Sequence, residues 1–139
     1  MQSLASSLPE YPVVMQMYGV GKNLGPQLMA EIGDVRRFHS KKALVAYAGI
    51  DAPPYQSGQY ELKSRSISKR GSSALRRTLF LVMSVFLQTS PEDQPVYQFM
   101  DKKRSEGKPY KVYMMASANK FLRIYYASVT KYLASLENA

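Results

Sequence analysis

Apolar residues recur along most of this chain at spacings of three and four, the period of helices that each bury one face, and past the first dozen residues the pattern breaks in one stretch. After Met1 to about Pro12, which shows little periodicity and reads as a leader or the end of a longer linker, PVVMQMYGVGKNLGPQLMAEIGD predicts a short apolar turn and a Gly-Val-Gly hairpin. A helix over about Leu24 to Ile32, closed by Gly33, follows, making 13–33 a helix-hairpin-helix element. Ser40 is placed to cap a helix ending at Gly49, with Ala43, Leu44, Tyr47 and Ala48 on its core face. Ser72 or Ser73 can cap a helix to about Gln88 whose apolar positions nearly encircle it, the mark of a central element. Ser90-Pro91-Glu92-Asp93 reads as the start of a helix over Pro95 to Glu106, and Pro109 as the start of a last, long helix to about Leu136. That helix carries Met115, Leu122, Tyr125, Val129 and Leu133 in one stripe. Between Ile50 and Gly71, two prolines, Gly58 and a polar run interrupt the helical period, and a short irregular or β-hairpin segment is expected around 55–68. The fold class is therefore mainly α: one compact helical domain over 13–136, in keeping with a length of 139 residues.

Charge narrows the partners. Nineteen Lys and Arg against ten Asp and Glu leave a formal +9, with a pI near 9.8, and such a field favours a polyanion, nucleic acid before a membrane surface or an acidic protein. The absence of cysteine removes disulfides, thiolate metal sites and cysteine nucleophiles. With His39 as the single histidine, a histidine-rich metal site is excluded and a Ser-His-Asp triad would depend on that residue alone. The longest apolar run, Leu79 to Leu87, falls well short of the about 20 residues a bilayer span needs, and the N-terminus shows no secretory signal pattern. No membrane role and a cytoplasmic location are expected.

Two stretches could carry chemistry. In MYGVGKNLGPQLMAEIG, Gly19 and Gly21 allow close backbone approach, and their amides, the next helix start and Lys22 can receive a phosphate without reading a base; a tight helix-helix turn is the alternative. In ELKSRSISKRGSSALRR, Lys63, Arg65, Lys69, Arg70, Arg76 and Arg77 gather around a Gly-Ser turn and a helix start, with Glu61 the one acid. A second cluster, Lys102, Lys103, Arg104, Lys108 and Lys111, reads as a solvated face. Asp34, Asp51 and Glu61 are too scattered for a metal triad, so no metal ligand is assigned.

The order GVGKNLGPQLMAEIGDVRRFHSKKALVAYAGID, PPYQSG, SISKRGSSALRRTLF resembles the C-terminal transposase domain of serine-dependent bacterial insertion-sequence transposases, over about Tyr11 to Leu133. The resemblance implies a preceding RuvC-like nuclease domain, with four metal-binding acids and Mg²⁺, and a nucleophilic serine in a Ser-Gly motif, here Ser57-Gly58. It implies DNA as partner, a bridge RNA as guide in some members, and a homo-oligomer in the intact protein. No cofactor is implied for this chain, which should be inactive without the nuclease domain. A serine oxygen attacking a phosphodiester conserves its energy in a phosphoserine link, and nearby cations stabilise the developing charge. Tyr55 is the rival nucleophile, without supporting signals. Two other readings stand beside this one: a noncatalytic helix-hairpin-helix module that binds or bends DNA, and an assembly domain whose long last helix mediates oligomerisation.

Overall fold

A hydroxyl set just before an apolar run, and a glycine just after it, decide most of the helix boundaries. The computed structural model describes residues 2–51 and 71–138. In chain order its helices are α1 (Gln2–Ala5), α2 (Tyr11–Met15), α3 (Gly21–Ile32), a 3-10 turn (Val35–Arg37), α4 (Lys41–Ala48), α5 (Ser73–Thr89), α6 (Pro95–Ser105) and α7 (Tyr110–Glu137). Ser40 and Ser72 accept hydrogen bonds from the N–H groups of Ala43 and Leu75, each at 3.1 Å, satisfying amides that have no partner inside their helices. Gly49 ends α4 in the left-handed region, φ 75°, and Pro109 caps α7 in an extended conformation. No strand occurs among the described residues, and the irregular or hairpin segment expected around 55–68 lies outside them.

α5 and α7 pack against one another and gather the rest: α3 lies on α5, and α6, α4 and α2 lie on α7. Tyr125, Phe86, Phe121 and Leu28 are among the largest fully buried side chains at these contacts. Tyr126 donates to the carbonyl of Phe38 at 3.1 Å, fixing α7 to the segment before α4, and Tyr18 donates to Thr89 at 2.6 Å, fixing the turn before α3 to the end of α5. No helix among the described residues is long and apolar enough to cross a membrane.

Several boundaries differ from the pattern reading. The first residues hold a short helix, with Ala5 buried and α1 packed on α3, where a loose leader was expected. α3 starts at Gly21, three residues early, because the low helix propensity of Gly21 and Gly25 hides a turn that packing against α2 supports. Ser90 closes α5 with φ 48° instead of opening α6, whose N-cap is Gln94. Leu81 of α5 is 46% exposed, so that helix is not encircled and shares the centre with α7. On α7, Met114 is buried where Met115 was expected, the other four stripe residues being buried as read.

Candidate nucleic-acid interface

The turn between α2 and α3 is built around two glycines with different constraints. Gly19 has φ 89°, and a Cβ there would lie 3.0 Å from Phe86 and 3.2 Å from Val82, so conformation and space both demand glycine. Gly21, at φ 55°, faces open space and stands at the first position of α3. The N-cap is Val20, whose side chain accepts no hydrogen bond, so the positive end of α3 has no side-chain cap. Those amides border a shallow cleft of about 410 Å³, lined by Tyr18 to Leu24 and by Val85 of α5. Gly19, Gly21 and the exposed Lys22 thus share one concave surface, a geometry suited to an anion.

A second construction joins α4 to α5. The Ser72 amide donates to the Tyr47 carbonyl at 2.7 Å, and one guanidinium nitrogen of Arg76 donates to the Ala48 carbonyl at 3.1 Å, satisfying the C-terminal end of α4. Gly71 lies so close that a Cβ would sit 2.8 Å from both the Gly49 nitrogen and the Tyr47 oxygen. Ile50 is buried beside this contact. The chain therefore leaves at Asp51 and returns at Gly71 through one tight backbone neck. Arg76 is half-buried and holds that neck, whereas Arg77 is exposed. Arg77 stands eight residues from Val85 on α5, about 12 Å along the helix, so the neck and the glycine cleft are separate places joined by one helix.

Ser57, Tyr55, Lys63, Arg65, Lys69 and Arg70 lie outside the described residues. Of the second basic cluster, Lys103 pairs with Glu106 at 3.7 Å and Arg104 with Asp101 at 3.0 Å. Arg36 is held by Asp34 and Glu137, each at 3.0 Å, and its hydrogen bonds to Asp34 keep that carboxyl below the usual carboxylate range. His39 is exposed. Among the described residues no group of three or more His, Asp or Glu is placed to hold a metal ion. A set of cations that linear clusters do not reveal lies along α7: Lys120, Arg123 and Lys131. Their spacings of three and eight are visible in the sequence only once the helix is drawn.

Comparison with known proteins supplies the context. A family model described as "Transposase IS116/IS110/IS902 family" matches residues 11–98, a stretch that takes in the glycine turn, the neck and everything between. The chain is 35% identical over 112 residues to the "Pilin gene-inverting protein" of Moraxella bovis, covering 80% of this chain and 34% of the relative. It is 29% identical over 116 residues to the insertion element IS900 uncharacterized 42 kDa protein of Mycobacterium paratuberculosis, covering 83% and 28%. Against the putative transposase y4rJ of Sinorhizobium fredii, identity is 28% over 101 residues, covering 72% and 25%. The chain spans about a quarter to a third of the length of these curated relatives. No solved structure matches.

Proposed function

The chain belongs to the IS116/IS110/IS902 transposase family, and from that premise we propose that it is the DNA-handling, serine-bearing part of a transposase or recombinase that cuts and exchanges DNA strands. Oγ of Ser57 attacks a backbone phosphorus; the bond to one strand's sugar oxygen breaks, and that oxygen leaves as a hydroxyl after taking a proton. The hydroxyl of another strand then displaces Ser57, so a phosphodiester is remade and no nucleotide hydrolysis is needed. Arg65, Lys69 and Arg70, close to Ser57 in sequence, supply positive charge for the phosphoryl oxygens. The cleft of Gly19, Gly21 and Lys22 grips phosphate as a helix-hairpin-helix element, with Arg76 and Arg77 adding to the positive field near the neck and Lys63 a further phosphate contact. Arg76 also keeps its structural hydrogen bond to Ala48.

The observation that carries this reading is the family match across 11–98, because that single stretch contains both the glycine cleft and Ser57-Gly58. The metal-binding acids and Mg²⁺ that the resemblance implies, like any guide RNA and the homo-oligomer, are assigned to the longer protein of which such a domain is part. Mg²⁺ there would supply Lewis-acid activation; the role of this chain is to bind, orient and provide the nucleophile.

The test uses the full-length recombinase with a nicked or phosphorothioate DNA substrate, and maps any covalent adduct by peptide mass spectrometry. The adduct is expected on Ser57. Ser57→Ala should abolish strand exchange while leaving DNA binding nearly intact, since it removes a hydroxyl and no charge; loss of charge at Arg70 should weaken both. An adduct on Tyr55, or full recombination by Ser57→Ala, overturns the serine assignment.

A further inference from the structure

The solvent side of α7 is an unusual surface for an exposed helix. At 100° per residue, Ala116, Lys120, Arg123, Ala127, Lys131 and Ala134 fall within an arc of about 80°, opposite the buried face of Met114, Ala118, Phe121, Leu122, Tyr125 and Val129. The face runs about 27 Å. From Tyr110 to Leu136 there is no acid, and Glu137, the single carboxylate of this helix, is bound to Arg36. Among the described residues none of Lys120, Arg123 and Lys131 has a carboxylate partner. An ordinary solvated helix face intersperses acids with bases at i,i+4, because like charges at that spacing destabilise a helix by a few tenths of a kcal/mol each; here that compensation is missing.

Two details fit the face to a phosphate backbone. Each cation is flanked by alanine on the same arc, so a bulky polyanion can approach the helix closely enough for the long side chains to reach it. Lys120 is also steadied: its Nζ lies 5.3 Å from the centre of the Phe99 ring on α6, and Arg123 is braced through a 2.6 Å hydrogen bond from Nε to Asn119. A second copy of this chain is a poor occupant, since face-to-face pairing would set cations against cations.

We propose that this face of α7 is a second nucleic-acid-binding surface, engaging the phosphates of a duplex separately from the glycine cleft. The cleft is lined by the 18–24 turn and by Val85 of α5, and none of Lys120, Arg123 and Lys131 lines it, so the two surfaces are distinct. Strand exchange joins two nucleic-acid segments, and two separate basic surfaces allow one domain to hold both. The inference rests on the reading of the chain as a DNA-handling domain.

Fluorescence anisotropy with a labelled duplex, titrated across 50–200 mM salt, tests it on the 139-residue chain. Lys120→Ala/Arg123→Ala/Lys131→Ala should weaken binding at least about tenfold and reduce the salt slope by about 2.7, the loss of three phosphate contacts. Alanine favours helix, and thermal unfolding followed by circular dichroism should be unchanged; the Gln triple variant, which keeps side-chain length, should behave alike, and a Lys120→Arg/Lys131→Arg variant should bind like the parent. A parallel Lys22→Ala variant separates the possible failures. If it alone weakens binding, the cleft stands and the α7 surface is overturned. If neither variant changes affinity or slope, both surfaces fall while the DNA-binding reading stands; if the unsubstituted chain does not bind the duplex, the DNA-binding reading falls and the proposal with it.

Discussion

At the scale of single residues, the instructive position is Tyr125, whose hydroxyl is buried without a hydrogen-bond partner among the described residues. Burial pushes its phenol well above the usual range, and the nearby Glu10 charge adds to the effect. An unsatisfied buried hydroxyl costs free energy while its ring contributes packing, so the two can be separated by one substitution. Tyr125→Phe should keep the ring contacts, remove the orphaned group, and leave thermal stability unchanged or raised by about 2–4 °C. A fall of that size in a melting experiment would mean that the hydroxyl has a partner which the geometry does not reveal. The contrast with Tyr126 is useful: its hydroxyl, one position on, reaches the Phe38 carbonyl at 3.1 Å. Both are simply tyrosines of an apolar helix in the sequence, and only their directions on α7 separate a satisfied hydroxyl from an orphaned one.

The elements show where a linear pattern suffices and where it does not. The neck that joins α4 to α5 depends on Gly71, since a Cβ there would meet the backbone of Tyr47 and Gly49, which cannot swing aside as a side-chain tip can. Gly71→Ala should therefore cost about 1–3 kcal/mol through forced backbone shifts, while Gly107→Ala, at φ 83° but in open space, should cost about 1–2 kcal/mol through conformation alone. Thermal unfolding of both variants checks this, and an unchanged melting temperature for Gly71→Ala would dispose of the close packing at Gly71. The caps at Ser40 and Ser72 and the stop at Gly49 were legible because they act within four residues of their own position. The role of Arg76 was not, because the carbonyl it satisfies is 28 residues away. Ser90 misled for a related reason: a serine before Pro-Glu-Asp suits a helix start, and only the end of α5 at Thr89 turns it into a C-cap. Of the candidate site, the glycine turn could be read from its own residues, whereas the basic face of α7 needed the helix, since Lys120, Arg123 and Lys131 form no cluster along the chain. Ser57 rests on the Ser-Gly motif and lies outside the described residues.

For the molecule as a whole, what matters is where the excess charge goes. The chain carries a formal +9, but its charge is unevenly compensated: Asp34 and Glu137 bind Arg36, Asp101 binds Arg104, and Glu106 binds Lys103. Among the described residues the ion pairs thus lie at the turn before α4 and on α6, and none involves Lys120, Arg123 or Lys131 of α7. Surface pairs of this kind add little stability, so their consequence here is to shape the field. If Lys22, Arg77, Lys120, Arg123 and Lys131 each neutralise one phosphate, about five counterions are released on duplex binding and the slope of log K against log salt is about −4.5, steeper where Lys63, Arg65, Lys69 and Arg70 also engage. A fourfold rise in salt, from 50 to 200 mM, should then weaken binding roughly 500-fold. Two duplexes of equal length and unrelated sequence should give nearly the same slope, because phosphate contacts carry no base information. A change of less than about threefold over that range would sink the electrostatic account, and equal slopes with widely different affinities would show that base edges are read as well.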